Sequence, residues 1–174
     1  TYDGPHINFN PDSGIAIVSE EGLSGALIDT VLLNDTTSLT SDPTDAAGNP
    51  KTAQGSFTVS DPDVGDTLSV SLLPGPAGLT SGSPAQTVQW ALSTDGHTLT
   101  GYVGSNTAAN TVLTISLTQG TAAGSWSYAV ELFKPINHAN NSYEDVRSLN
   151  FDIQVKDPSL ATNTATLTLK IEDD

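Results

Sequence analysis

Apolar and polar residues alternate with a period of two through most of the chain, the pattern of strands with one buried face. The clearest runs are GSFTVS (55–60), TLSVSL (67–72), TVQWALS (87–93) and HTLTGYV (97–103). The pattern recurs in TVLTISLT (111–118), SWSYAVELF (125–133), LNFDIQV (149–155) and TATLTLKI (164–171). HINF (6–9) and IAIVS (15–19) are shorter candidates, and ALIDTVLL (26–33) reads as a strand or as a helical turn. Gly, Pro, Asn, Asp and Ser clusters such as LPGPAG and STDG separate the runs and supply turn chemistry. Short strands at this spacing predict an all-β fold, a sandwich of about eight to ten mainly antiparallel strands.

One segment echoes another. FTVSDPDVGDTLSVSL resembles IQVKDPSLATNTATLTL: a strand, Asp-Pro, a loop, then a strand rich in Ser or Thr. Both read as hairpins. The first loop carries Asp61, Asp63 and Asp66; the second keeps Asp157, with Ser159 and Asn163 beside it, and reads as a turn.

Charge sharpens that difference. Twenty acidic residues face five basic ones, a formal net charge of −15 over 174 residues. Such a surface repels nucleic acid and anionic membranes, so neither is an expected partner. The periodic apolar runs argue against disorder, and the length suits one domain spanning 1–174, with 1–17 as linker and first strand. With no cysteine, disulfides cannot staple the fold, and a divalent metal is the alternative staple. No apolar stretch approaches the roughly 18 residues of a membrane span. The chain starts at Thr1 and has no methionine, which reads as a piece excised from a longer protein.

Three carboxylates within six residues, at 61–66, have no Lys or Arg nearby. Held about 4 Å apart, each pair repels by roughly 1 kcal/mol in water and about 4 near a protein surface. Either the loop stays splayed in solvent or a cation is the missing partner. Calcium takes six to eight oxygen ligands in flexible geometry. Asp61, Asp63 and Asp66 offer such oxygens, Gly65 permits a tight turn, and Pro62 stiffens the loop. Asp3 near the start, Asp173 near the end, and Glu20 with Glu21 form further acidic groups. Joined head to tail, the closing KIEDD (170–174) and opening TYDGPHI (1–7) would bring carboxylates of two neighbouring units together, with Glu20 and Glu21 closing the site.

Catalysis finds little support. His6, His97 and His138 are scattered, and neither H-E-x-x-H nor G-x-S-x-G occurs. Each histidine reads as a surface or core-edge residue, and the protein as a non-enzyme. Glu20 and Glu21 would point to opposite faces of a strand, which argues against a glycosidase pair. Trp90, Trp126, Tyr128 and Phe133 fit inward-facing positions, so a carbohydrate-binding platform of exposed aromatics is the weakest reading. The long connection at 134–147 gathers Asn140, Asn141, Tyr143, Glu144 and Asp145, side chains suited either to grip a peptide or to decorate a surface.

VSEEGL, GSFTVSDPDVGDTLSVSL, DGHTLTG, SYAVELFKPINH and TATLTLKIEDD, in that order from Asp3 to Asp174, resemble the repeat-type β-domains of large RTX adhesins. These are exported by type I secretion in Gram-negative bacteria. The resemblance implies a monomeric, calcium-dependent β-sandwich at the bacterial surface, one unit of a very long extracellular chain. Most units in that family extend the adhesin. One type is a peptide-binding domain that grips the end of a protein ligand and mediates attachment to cells and biofilm partners. KDPSLATN replaces the usual Gly-Asp-rich loop, and Asn137 stands where repeats often carry Asp. These departures favour calcium-dependent peptide or protein binding, through a free C-terminus and with neighbouring adhesin domains on either side. The alternative is a structural extender stiffened by calcium at its junctions.

Overall fold

The computed structural model describes residues 4–23, 50–139 and 146–173. Its strands are β1 (His6–Phe9), β2 (Ile15–Ser19), β3 (Thr52–Ser60), β4 (Ser69–Leu72), β5 (Thr80–Ser81) and β6 (Gln86–Thr87). They continue as β7 (Gln89–Leu92), β8 (Thr98–Tyr102), β9 (Thr111–Gln119), β10 (Ser125–Leu132), β11 (Val146–Lys156) and β12 (Thr162–Glu172). Six strands form one sheet in the order β1-β3-β10-β9-β8-β7, and four form a second in the order β2-β12-β11-β4. A two-stranded ribbon, β5-β6, adds to these. The fold is all-β, and every pairing is antiparallel except that of β2 with β12. The segment 26–33 lies outside the described residues.

Period-two alternation sets which side chains meet. Trp126, Tyr128, Val130 and Leu132 of β10 are buried, as are Leu149, Phe151, Ile153 and Val155 of β11. Leu167, Leu169 and Ile171 of β12 are fully covered, and all these residues belong to one core cluster fed by both sheets. Each Leu, Ile, Phe or Val buried there contributes about 1.5–3 kcal/mol. Cross-strand neighbours Leu149–Leu169 and Phe151–Leu167 lock the register of the longest pair, β11 with β12. A one-residue slip would turn the whole set outward.

Three expectations need correction. The 59–70 segment is not a hairpin: β3 pairs with β1 and β10, β4 pairs with β11, and the loop between crosses from one sheet to the other. The run at 87–93 is broken at Val88, which is buried while its amide bonds the Leu79 carbonyl. Phe133 lies past the end of β10, 42 % exposed, with Lys51 Nζ 5.8 Å from its ring centre. Trp90 does pack inward, edge-on to Phe151 at 5.3 Å, and its Nε1 donates to the Pro76 carbonyl.

The first two strands belong to different sheets, and the turn at 10–14 ties them down. Tyr128 Oη donates to the Ser13 carbonyl at 2.6 Å, and the Ser56 amide donates to Ser13 Oγ at 3.2 Å. A Cβ at residue 55 would collide with the Tyr128 ring, so only glycine lets that phenol reach across. The strand β12 then sets the long dimension. Its eleven residues span roughly 33 Å between a loop beside Gly4 and the end at Asp173.

Candidate metal centres

At the Gly4 end, the inter-sheet loop folds its acids together. One oxygen each from Asp61, Asp63 and Asp66 lies within 4.8 Å of the others. The local sequence builds this arrangement. Asp61 Oδ1 accepts the Asp63 amide at 2.8 Å, curling the chain around Pro62. Gly65 then adopts φ +100°, a conformation open to glycine, and brings Asp66 back to the group. Val64 at the tip is fully exposed.

The other oxygen of Asp61, Oδ2, is enclosed and meets no hydrogen-bond donor among the described residues. A buried carboxylate oxygen without a donor loses its hydration and gains nothing in return, unless a cation takes it. The Asp66 carboxyl is held above the ordinary carboxylate range, first by desolvation and then by the charges of Asp61, Asp63 and Asp157. Asp157 thus belongs to the electrostatics of this end. It is buried, and its Oδ1 accepts from Ser159 Oγ at 2.8 Å and the Ala161 amide at 2.9 Å.

At the opposite end, Ser19, Glu20 and Glu21 follow β2. Ser19 Oγ accepts the Glu21 amide at 3.2 Å and caps a short 3-10 turn over Glu20–Gly22. The two glutamates therefore do not take the opposed faces of a strand; both are buried, as is Glu172. The parallel pairing of β2 with β12 sets Glu172 opposite Ser19, which draws the acidic close of β12 to this turn. Glu20 Oε1 accepts the Ile136 amide at 2.7 Å and lies 3.2 Å from His138 Nε2, with both side chains almost wholly covered. Asp173 completes the group: oxygens of Glu20 and Asp173 and a ring nitrogen of His138 all lie within 4.8 Å of one another.

His138 is the residue that sequence reading missed. It is a buried member of an acidic cluster, not a surface or core-edge histidine. Its partner Glu20 is 118 positions away, so no local spacing could reveal the pair. His97, by contrast, packs edge-on to Trp126 at 5.1 Å and sits 3.5 Å from Asp95. Of the other expected ligands, Asp3 lies outside the described residues, as do Asn140, Asn141, Tyr143, Glu144 and Asp145.

A groove of about 370 Å³ opens beside His138, lined by Thr80, Asn137, His138, Ala139, Val146 and Arg147. Arg147 Nη1 donates to the Asn137 carbonyl at 2.7 Å, fastening the start of β11 to the segment after Pro135. No described helix is long and apolar enough to cross a membrane. Comparison with known proteins found no matching family model, curated protein or solved structure.

Proposed function

We propose that the chain is a calcium-stabilised β-sandwich module of a large secreted bacterial adhesin, stiffened by cations held at its ends. The observation that carries calcium is the enclosed Asp61 Oδ2, without a donor among the described residues, within a cluster of three carboxylates. Asp61, Asp63 and Asp66 supply hard oxygen ligands in a loop able to adjust, the chemistry calcium prefers. Backbone carbonyls, water or a neighbouring module would fill the remaining positions.

Support for an extender role comes from polarity. The two acidic groups lie at opposite ends of β12, with Gly4 near the first and Asp173 in the second. Head-to-tail neighbours would bring the second group of one module towards the first group of the next. A shared cation would offset the repulsion there. The adhesin assignment and the extracellular setting rest on the motif resemblance.

The groove beside His138 favours a second reading, calcium-dependent binding of a peptide or protein through a free terminal carboxylate. Its wall carries Asn137 and Arg147. One pair of experiments separates the two readings. X-ray scattering of a tandem dimer of the chain should show a stiff rod in calcium and a flexible one in EGTA. A calcium-dependent screen of peptides with free or amidated C-termini tests the second. A flexible tandem in calcium, with free C-termini captured, would replace the extender with the binder.

A further inference from the structure

The two ends differ in donor chemistry. The loop at 61–66 offers only carboxylate oxygens, whereas the group at Glu20 adds an imidazole nitrogen. We infer that Glu20, His138 and Asp173 form a site for a transition-metal ion of the zinc class, different in kind from the calcium loop at the other end. The inference deepens the reading that cations occupy both ends, and it changes the ion expected at one of them.

Donor set, burial and orientation each support the assignment. Calcium is bound by oxygen; imidazole suits zinc and its neighbours, and carboxylate oxygens complete such a sphere. Two carboxylates and one imidazole make the three-ligand set of an open zinc site, leaving a position for water or a ligand. Glu20 and the His138 ring are both more than nine-tenths covered, and Glu21 and Glu172 are buried in the same region. Ionised carboxylates withdrawn from water are costly unless positive charge accompanies them.

Orientation is built in by the chain itself. The Ile136 amide fixes Glu20 Oε1, and His138, two residues further along the same segment, turns Nε2 towards that oxygen. The 3-10 turn after β2 and the end of β12 bring the two carboxylates from separate strands. His138 also lines the groove, so the site has an approach from solvent.

The test is a titration of zinc into protein already saturated with calcium. We expect one further equivalent of zinc to bind and excess calcium not to displace it. His138→Gln should weaken that binding by at least about tenfold while leaving the calcium stoichiometry intact. No zinc uptake in excess calcium, or equal uptake by His138→Gln, overturns the inference. If His138→Gln fails to fold, nitrogen NMR of the wild-type histidines decides: zinc must shift the His138 ring resonances in calcium-saturated protein, and unmoved resonances overturn it. Calcium binding with no zinc uptake would leave the proposed function standing and remove only this inference. Zinc uptake with no calcium binding would do the reverse.

Discussion

The two Asp-Pro loops read almost alike in sequence and do opposite things in the fold. After β11 the chain turns straight back into β12, and Asp157 spends its Oδ1 on the Ser159 hydroxyl and the Ala161 amide. After β3 the chain leaves its sheet altogether. Asp61 there satisfies one oxygen with the Asp63 amide and leaves Oδ2 enclosed without a donor among the described residues. The Asp157 carboxylate is a structural part, bonded within its own loop. Asp61 keeps an oxygen that the proposed calcium would take. The difference lies downstream of the dipeptide: Ser159 and the Ala161 amide close one loop, while Asp63 and Asp66 add charge to the other.

The largest expected effect falls on the complete loop. Asp157→Ala removes two hydrogen bonds to a buried carboxylate, each worth about 1.5 kcal/mol or more, so stability should drop by about 3 kcal/mol. The loss should be similar in calcium and in EGTA, because this carboxylate is already satisfied by the chain. Urea unfolding in both conditions checks it. A loss confined to calcium would make Asp157 a metal ligand and erase the contrast.

The open loop should behave the other way. At calcium about a hundredfold above its dissociation constant, one site contributes about 2.7 kcal/mol. At this chain length that corresponds to a melting temperature higher by roughly 5–10 °C in calcium than in EGTA. Asp61→Asn combined with Asp63→Asn should remove that increment and one calcium by calorimetry. In EGTA the double variant should equal the wild type or slightly exceed it, since repulsion is relieved. An unchanged calcium count would return these acids to the solvent.

Sequence patterning anticipated this fold well where burial imposes a period. The strand runs from Phe57 to Ile171 are inward-facing at the expected positions because one face of each sheet is covered. It failed at 59–70 because pairing partners are long-range. Nothing in the loop says that β3 joins β10 and β4 joins β11, and a hairpin is the shorter guess. The Asp61, Asp63 and Asp66 group was legible because its members are close in sequence. Glu20 and Asp173 were legible as ligands at a junction between neighbouring units, and their meeting with His138 within one unit depends on β2 running parallel to β12, which no local pattern encodes. Phe133 misled because it is apolar, yet it breaks the alternation: Trp126, Tyr128, Val130 and Leu132 take the inward positions, and residue 133 is one off that period.

A smaller effect concerns how the open loop is shaped. Gly65 sits at φ +100° with open space where a Cβ would go. Gly65→Ala therefore meets backbone strain and no clash, and should cost about 1 kcal/mol. Calcium affinity should fall with it, because Asp66 returns to the cluster through this residue. A variant of unchanged stability and affinity would show that the loop closes without the glycine turn.

The smallest effect is the most discriminating, because its sign should reverse. Asp66 is raised above the ordinary carboxylate range by desolvation and by Asp61, Asp63 and Asp157. A carboxyl with a raised folded-state pKa contributes stability that is fully present below its unfolded value. That contribution is lost as pH climbs through the folded value. Without metal, wild type should therefore lose stability relative to Asp66→Asn as pH rises from about 3 to 6, through the carboxylate range. Subtracting the variant removes the opposite trend of Asp95, whose carboxyl is lowered by the Ser93 hydroxyl and the His97 amide. With calcium bound the order should invert. The ion favours the ionised carboxylate, so calcium binding at acidic pH should release protons, and Asp66→Asn should become the less stable protein near pH 6. Urea melts of both proteins across that range, in calcium and in EGTA, measure the difference directly. A difference of the same sign in both series would mean that Asp66 repels its neighbours but holds no ion, leaving Asp61 Oδ2 as an enclosed acceptor without a cation.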